Sequence, residues 1–101
     1  MPAPPPGPSY DLAEVQRLVQ EGSFRAAASA FFDAMALGFD KSDIVDCIAQ
    51  LTAAEFYKTM PAEKCPGLMQ DVYRPTYLSK TLYVKVQLRD GLAWVISFKK
   101  L

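Results

Sequence analysis

Lys58, Gln70, Arg74, Tyr83, Lys85 and Lys99 are the residues of this chain on which chemistry at a phosphate can rest. Gathered on one face, these cations, phenol and amide suit transesterification of an RNA phosphodiester. The ribose 2′-hydroxyl is then the nucleophile, so no attacking water is needed. The protein must help remove that proton, neutralise charge on the phosphorane-like transition state and protonate the leaving 5′-oxygen. Lysine and arginine meet the second need directly. A tyrosine, or a lysine with its pKa lowered by neighbouring cations, can transfer the protons.

Histidine is absent from the chain. Imidazole-based triads, histidine acid–base pairs and nearly every histidine-containing metal site are therefore excluded. Cys47 and Cys65 stand alone without a CxxC. They read as one buried thiol and one loop thiol, not as a disulfide or redox pair. No metal and no cofactor is expected.

The net charge of zero conceals a polarity. Residues 1–55 carry three bases against eight acids, and residues 56–101 carry eight bases against three acids. A basic half suggests a polyanionic partner, although uneven scatter would look the same. No apolar run approaches the ~20 residues that span a bilayer. The first residues lack the blocks of a secretory signal, so a cytoplasmic protein without membrane contact is expected.

The elements that must position these residues follow from pattern. Residues 1–8, with five prolines and one glycine, read as a disordered or extended tail; residues 9–101 read as one domain, the length suiting a single core. Ser9 or Asp11 opens a helix carrying Leu12, Val15, Leu18 and Val19 on one side, with Asp11 and Glu14 resembling a capping box and Gly22 ending it. Ala26–Leu37 makes a second helix, and a third starts at Asp40 or Ser42. The Phe and Met side chains of these helices are expected in the core. Thr52–Glu55 matches another capping box and makes one turn. Phe56–Met60 fits a helix or a strand equally. Leu68–Arg74, Thr81–Leu88 and Leu92–Lys99 have the alternation of strands.

Around Arg89-Asp90-Gly91 the last two strands form a hairpin. A two-residue turn would mix polar and apolar residues on both faces. A three-residue loop with Gly91 left-handed pairs Leu88 with Leu92 and collects Leu82, Val84, Val86, Leu88, Leu92, Trp94, Ile96 and Phe98 on one face. That register is the expectation. It leaves Tyr83, Lys85 and Lys99 on an open face; Gln70 and Arg74, in phase with each other, join them if their side is the open one, with Lys58 arriving from the neighbouring segment. The fold class is α+β, with N-terminal helices packed on one face of a C-terminal antiparallel sheet. Singly, these residues have ordinary uses: solvated lysines, an edge tyrosine, a surface amide, and an arginine paired with Asp71 or capping a turn. The residues alone stop at a small domain that binds RNA or another polyanion.

Four blocks carry a resemblance further: Glu55-Phe56-Tyr57-Lys58-Thr59-Met60, Gln70-Asp71-Val72-Tyr73-Arg74-Pro75, Leu82-Tyr83-Val84-Lys85-Val86 and Ile96-Ser97-Phe98-Lys99. In order and spacing they closely resemble the MqsR toxin family (motility quorum-sensing regulator). The likeness runs from about Leu12 to Lys99 and is strongest after Glu55. It implies a RelE-like fold and a metal-independent endoribonuclease that cuts mRNA at GCU-type sites. It implies a partner, an MqsA-like zinc-containing, DNA-binding antitoxin, with operator DNA reached only through that antitoxin. The family's functional Lys, Gln, Tyr and C-terminal Lys fall on Lys58, Gln70, Tyr83 and Lys99. A Tyr-Arg pair matches Tyr73 and Arg74, which with Lys85 are expected to contact RNA. The proline-rich start, the acidic first helix and the loop Pro61–Gly67 depart from the family pattern. A non-catalytic RNA- or protein-binding module of the same fold is the alternative.

Overall fold

The computed structural model describes residues 6–101. Of the expected tail, residues 1–5 lie outside the described residues and residues 6–8 are exposed coil.

Asp11 caps α1 (Leu12–Gln20), its carboxylate accepting from the Ala13 N–H at 3.1 Å. Glu14 does not close the expected capping box; it pairs with Arg17 one turn on. The helix buries Val15, Leu18 and Val19, and Gly22, at φ 81°, ends it. A short strand that periodicity does not reveal follows, β1 (Phe24–Ala26), because three residues are too few to show alternation. Next come α2 (Ala28–Ala36) and α3 (Lys41–Gln50). Asp40 and Asp43 make a reciprocal capping box on α3. Thr52 and Glu55 do the same for the single 3₁₀ turn Ala53–Glu55.

In α2 the structure departs from expectation. Ala30 and Ala34, four residues apart on one side, are fully buried, whereas Phe31, Phe32 and Met35 are 38%, 66% and 53% exposed. The small side chains let the helix lie close to the sheet, which turns the large ones outward.

The remaining strands are β2 (Phe56–Pro61), β3 (Met69–Tyr73), β4 (Thr76–Tyr77), β5 (Lys80–Arg89) and β6 (Leu92–Lys100). Phe56–Met60, ambiguous in sequence, is therefore strand. The sheet order is β1-β6-β5-β3-β2, with β4 pairing β5. All pairs are antiparallel except β1 with β6, so the sheet is mixed. Helical side chains from Val15 to Ile48 meet Tyr73, Leu82, Val84, Val86, Val95 and Phe98 in one core. The fold is α+β, with its helices N-terminal and its sheet C-terminal.

The β5–β6 hairpin corrects the expected register. Asp90 and Gly91 form a two-residue turn, both left-handed at φ 55° and 75°, and Arg89 pairs with Leu92. This is the primed turn whose twist matches the strands. The predicted mixing of faces is averted by a bulge: Val86 pairs with Val95 and Lys85 with Ser97, leaving Ile96 as the extra residue. The bulge resets the phase of β6 halfway along. Ala93, Val95 and Phe98 are buried in the core, while Trp94 and Ile96 stand on the opposite face with Ser97 and Lys99.

Candidate functional site

Cross-strand partners in a sheet share a face, so the pairings place the side chains. Lys58 on β2 and Lys85 on β5 both lie opposite Val72 of β3, flanking it. On β6, Ser97 faces Lys85 and Lys99 faces Tyr83. Met60 faces Gln70. Strands lie about 4.8 Å apart, so Lys58 and Lys99 bracket a cationic band roughly 15 Å wide across four strands.

At its centre is Tyr83. The ammonium groups of Lys99 and Lys85 lie 5.4 Å and 5.8 Å from its ring centre. Its hydroxyl approaches the Met60 sulfur at 4.0 Å. Lys58 and Lys99 are exposed; Tyr83 and Lys85 are half-buried. Burial holds the Lys85 ammonium below its usual range; Glu63 opposes that shift, and Lys99 and Lys58 add to it by repulsion. A lysine so placed gives up a proton more readily than a solvated one.

Beside this band lies a cavity of about 310 Å³, lined by Gln70, Lys85, Gln87, Arg89, Trp94 and Ile96 among others. Gln70 and Lys85 belong to both the band and the cavity. Gln70 is 8% exposed.

The chain matches the family described as "Motility quorum-sensing regulator, toxin of MqsA" over residues 7–100. It belongs to the MqsR toxin family. It is similar to the mRNA interferase toxin MqsR of Escherichia coli (strain K12), with 32% identity over 93 residues, 92% of this chain and 94% of that protein.

In this MqsR-family chain, Lys58, Gln70, Tyr83, Lys85 and Lys99 share the face away from the helices. Arg74, just past β3, is exposed and stacks over Tyr57, with its guanidinium 4.5 Å from the ring centre. Lys58 lies 5.5 Å from the same ring, which ties Arg74 to the β2 end of the band. Tyr57 holds that position because it is the extra residue of a bulge between Phe56 and Lys58.

Tyr73 does not join them, which corrects its expected RNA contact. It faces the helices and is 1% exposed, packed edge-on to Phe56 with ring centres 5.6 Å apart. Burial, then repulsion from Asp71 and Asp11, pushes its phenol up to about 12. Its place is in the core, because strand alternation puts it out of phase with Gln70 and Arg74. Asp71, the sequence's suggested partner for Arg74, is likewise on the core side. Its carboxylate accepts from the backbone N–H groups of Ser9 and Tyr10 at 3.0 Å and 2.9 Å.

Trp94 and Arg89 are open-face residues that the sequence reading missed. The Arg89 guanidinium lies 4.3 Å from the Trp94 ring centre and donates to the Cys65 sulfur at 3.0 Å. The Asp90-Gly91 dipeptide, the usual mark of a two-residue turn, was the signal that would have turned Trp94 outward.

Proposed function

We propose that this chain is the toxin of a toxin–antitoxin pair and acts as an mRNA interferase, cutting RNA by attack of the ribose 2′-hydroxyl on the adjacent phosphate. Membership of the MqsR family supports the class. The observation that carries the chemistry is Tyr83 with the Lys85 and Lys99 ammonium groups 5.8 Å and 5.4 Å from its ring centre, and Lys58 and Gln70 on the same face.

As the 2′-oxygen bonds to phosphorus, negative charge spreads over the non-bridging oxygens. Lys58, Lys85 and Lys99 lie where they can oppose it. The 2′-proton leaves to a base on this face, and the departing 5′-oxygen takes a proton from an acid there. Tyr83 and Lys85, whose proton is held less tightly than a solvated lysine's, are the side chains suited to these transfers. Gln70, nearly buried, holds the nucleotide in place. The products are a 2′,3′-cyclic phosphate and a free 5′-hydroxyl, and none of these steps draws on a metal ion.

The finer readings belong here as well: preference for GCU-type sites, action in the cytoplasm, and neutralisation by a zinc-containing antitoxin that alone contacts operator DNA. Among the described residues no helix is long and apolar enough to cross a membrane. Folded protein incubated with a defined mRNA in EDTA should yield discrete fragments, and its expression should arrest growth unless the antitoxin is co-expressed. Intact RNA at micromolar enzyme would overturn the reading.

A further inference from the structure

Gln87 and Trp94 face each other across β5 and β6 on the floor of the cavity beside the lysines. Gln87 is 1% exposed. Among the described residues, neither the Gln87 amide nitrogen nor the Trp94 indole nitrogen has a hydrogen-bond partner, though both are buried. Unpartnered buried donors are costly and scarce in folded proteins. The two residues that carry them are cross-strand partners lining one cavity, so an acceptor from outside the chain is the partner they lack.

The walls indicate what brings it. The Arg89 guanidinium lies over the Trp94 ring and is held by its bond to Cys65. Ile96, two residues past Trp94 and so on the same face, adds an apolar surface. Planar cationic, aromatic and apolar surfaces around a few convergent polar groups are what an unstacked RNA base fits between. The volume of about 310 Å³ falls at the lower end of small-ligand sites and accepts one base. Lys85 and Gln70 line the cavity and also belong to the cationic band. A base in the cavity would therefore lie next to a phosphate in the band.

We propose that this cavity reads one base flanking the scissile phosphate, with Gln87 and Trp94 donating to two adjacent acceptors on its edge. The proposal rests on the reading of the open face as an RNA-cleaving site. The donors define the chemistry: a base edge with neighbouring acceptors. Guanine offers this at N7 and O6, and cytosine at O2 and N3. Adenine sets a donor beside its acceptor, and in uracil an N–H separates the two carbonyls. Gln87 and Trp94 are specificity residues, distinct from the band that handles the phosphate.

The test uses a set of short RNAs identical except for the bases on either side of the cut, compared by kcat/KM. Wild-type protein should favour guanine or cytosine over adenine and uracil at one position by about tenfold or more. A 7-deazaguanine arm separates the two, since it removes only the guanine N7. Trp94→Phe removes the N–H and keeps a ring; Gln87→Met keeps the length and removes the donor. Either should bring the preference at that position towards onefold. Lys99→Ala should instead slow every RNA by a similar factor and leave the preference in place. Fluorescence anisotropy with the same RNAs reads base preference without turnover, so absence of cleavage would count against the active-site reading alone. A preference unchanged in both folded variants, or no base preference in wild-type cleavage or binding, overturns the proposal. If Trp94→Phe does not fold, Gln87→Met decides it.

Discussion

Lys99 stands directly across β5 and β6 from Tyr83, with its ammonium 5.4 Å from the centre of the phenol ring. On the proposed mechanism the two contributions are separable: the hydroxyl to proton transfer and the ammonium to phosphate charge. Tyr83→Phe keeps the ring and removes only the hydroxyl. It should lower kcat by about 10²-fold with little change in KM. Lys99→Ala should cost about as much, by about 10²-fold. Lys100→Ala, one residue on and opposite Leu82, should change the rate by less than about twofold. Equal losses at 99 and 100, measured as initial rates on one RNA, would remove the assignment.

Lys85 gives the band a pH signature. Burial, partly opposed by Glu63 and reinforced by Lys99 and Lys58, lowers its pKa in the folded state. Between that lowered value and the ordinary lysine range, the unfolded chain holds more protons than the folded one, so stability rises with pH there. Below both values the full penalty of a buried cation remains. Lys85→Met should therefore melt higher than wild type at pH 7, with the difference shrinking as pH rises towards 10. A constant or growing difference across that series contradicts the burial of the charge.

Asp71 anchors the chain ahead of α1. Replacing it with alanine strands the N–H groups of Ser9 and Tyr10 and should cost about 2–4 kcal/mol, a fall in Tm of roughly 10 °C or more. Asp71→Asn, which retains an acceptor, should lose about half as much. Thermal melts of the two variants check the order.

The two sides of α2 should respond oppositely to substitution. Phe32, 66% exposed, should tolerate serine within about 0.5 kcal/mol. Ala34, fully buried, should lose about 1–3 kcal/mol on change to leucine through overpacking. Urea unfolding of both variants distinguishes this helix orientation from one turned by half.

How much of this was legible can be seen on β5 and β6. The alternation Tyr83, Lys85, Gln87 against Leu82, Val84, Val86 needs no knowledge of the turn, and it assigned β5 correctly. Lys99 also landed on the open face, because the bulge at Ile96 brings the far half of β6 back into the expected phase. The near half was inverted, and Trp94 went with it. Simple alternation implies a wholly dry face and an unbroken strand, and the structure has neither. No glycine or proline marks the bulge, so nothing local announces it.

In α2, apolar character suggests burial, but two alanines suffice to seat the helix closely and leave the larger side chains in solvent. The four blocks of family likeness carried Lys58, Gln70, Tyr83 and Lys99. They also brought in Tyr73, which alternation alone would have sent to the core. The cavity floor of Gln87 and Trp94 depends on the turn and the bulge together, and so was not legible from either strand alone.

On the proposed mechanism, the open face cleaves RNA through the substrate's own 2′-hydroxyl. The most direct measurement is cleavage, in EDTA, of an RNA carrying a single 2′-deoxyribose on the 5′ side of the scissile phosphate, set against the all-ribose strand. The all-ribose RNA should be cut to a 2′,3′-cyclic phosphate end, and the substituted strand should stay intact at that bond. Cleavage of both strands at similar rates, or products with a 5′-phosphate, would contradict the account.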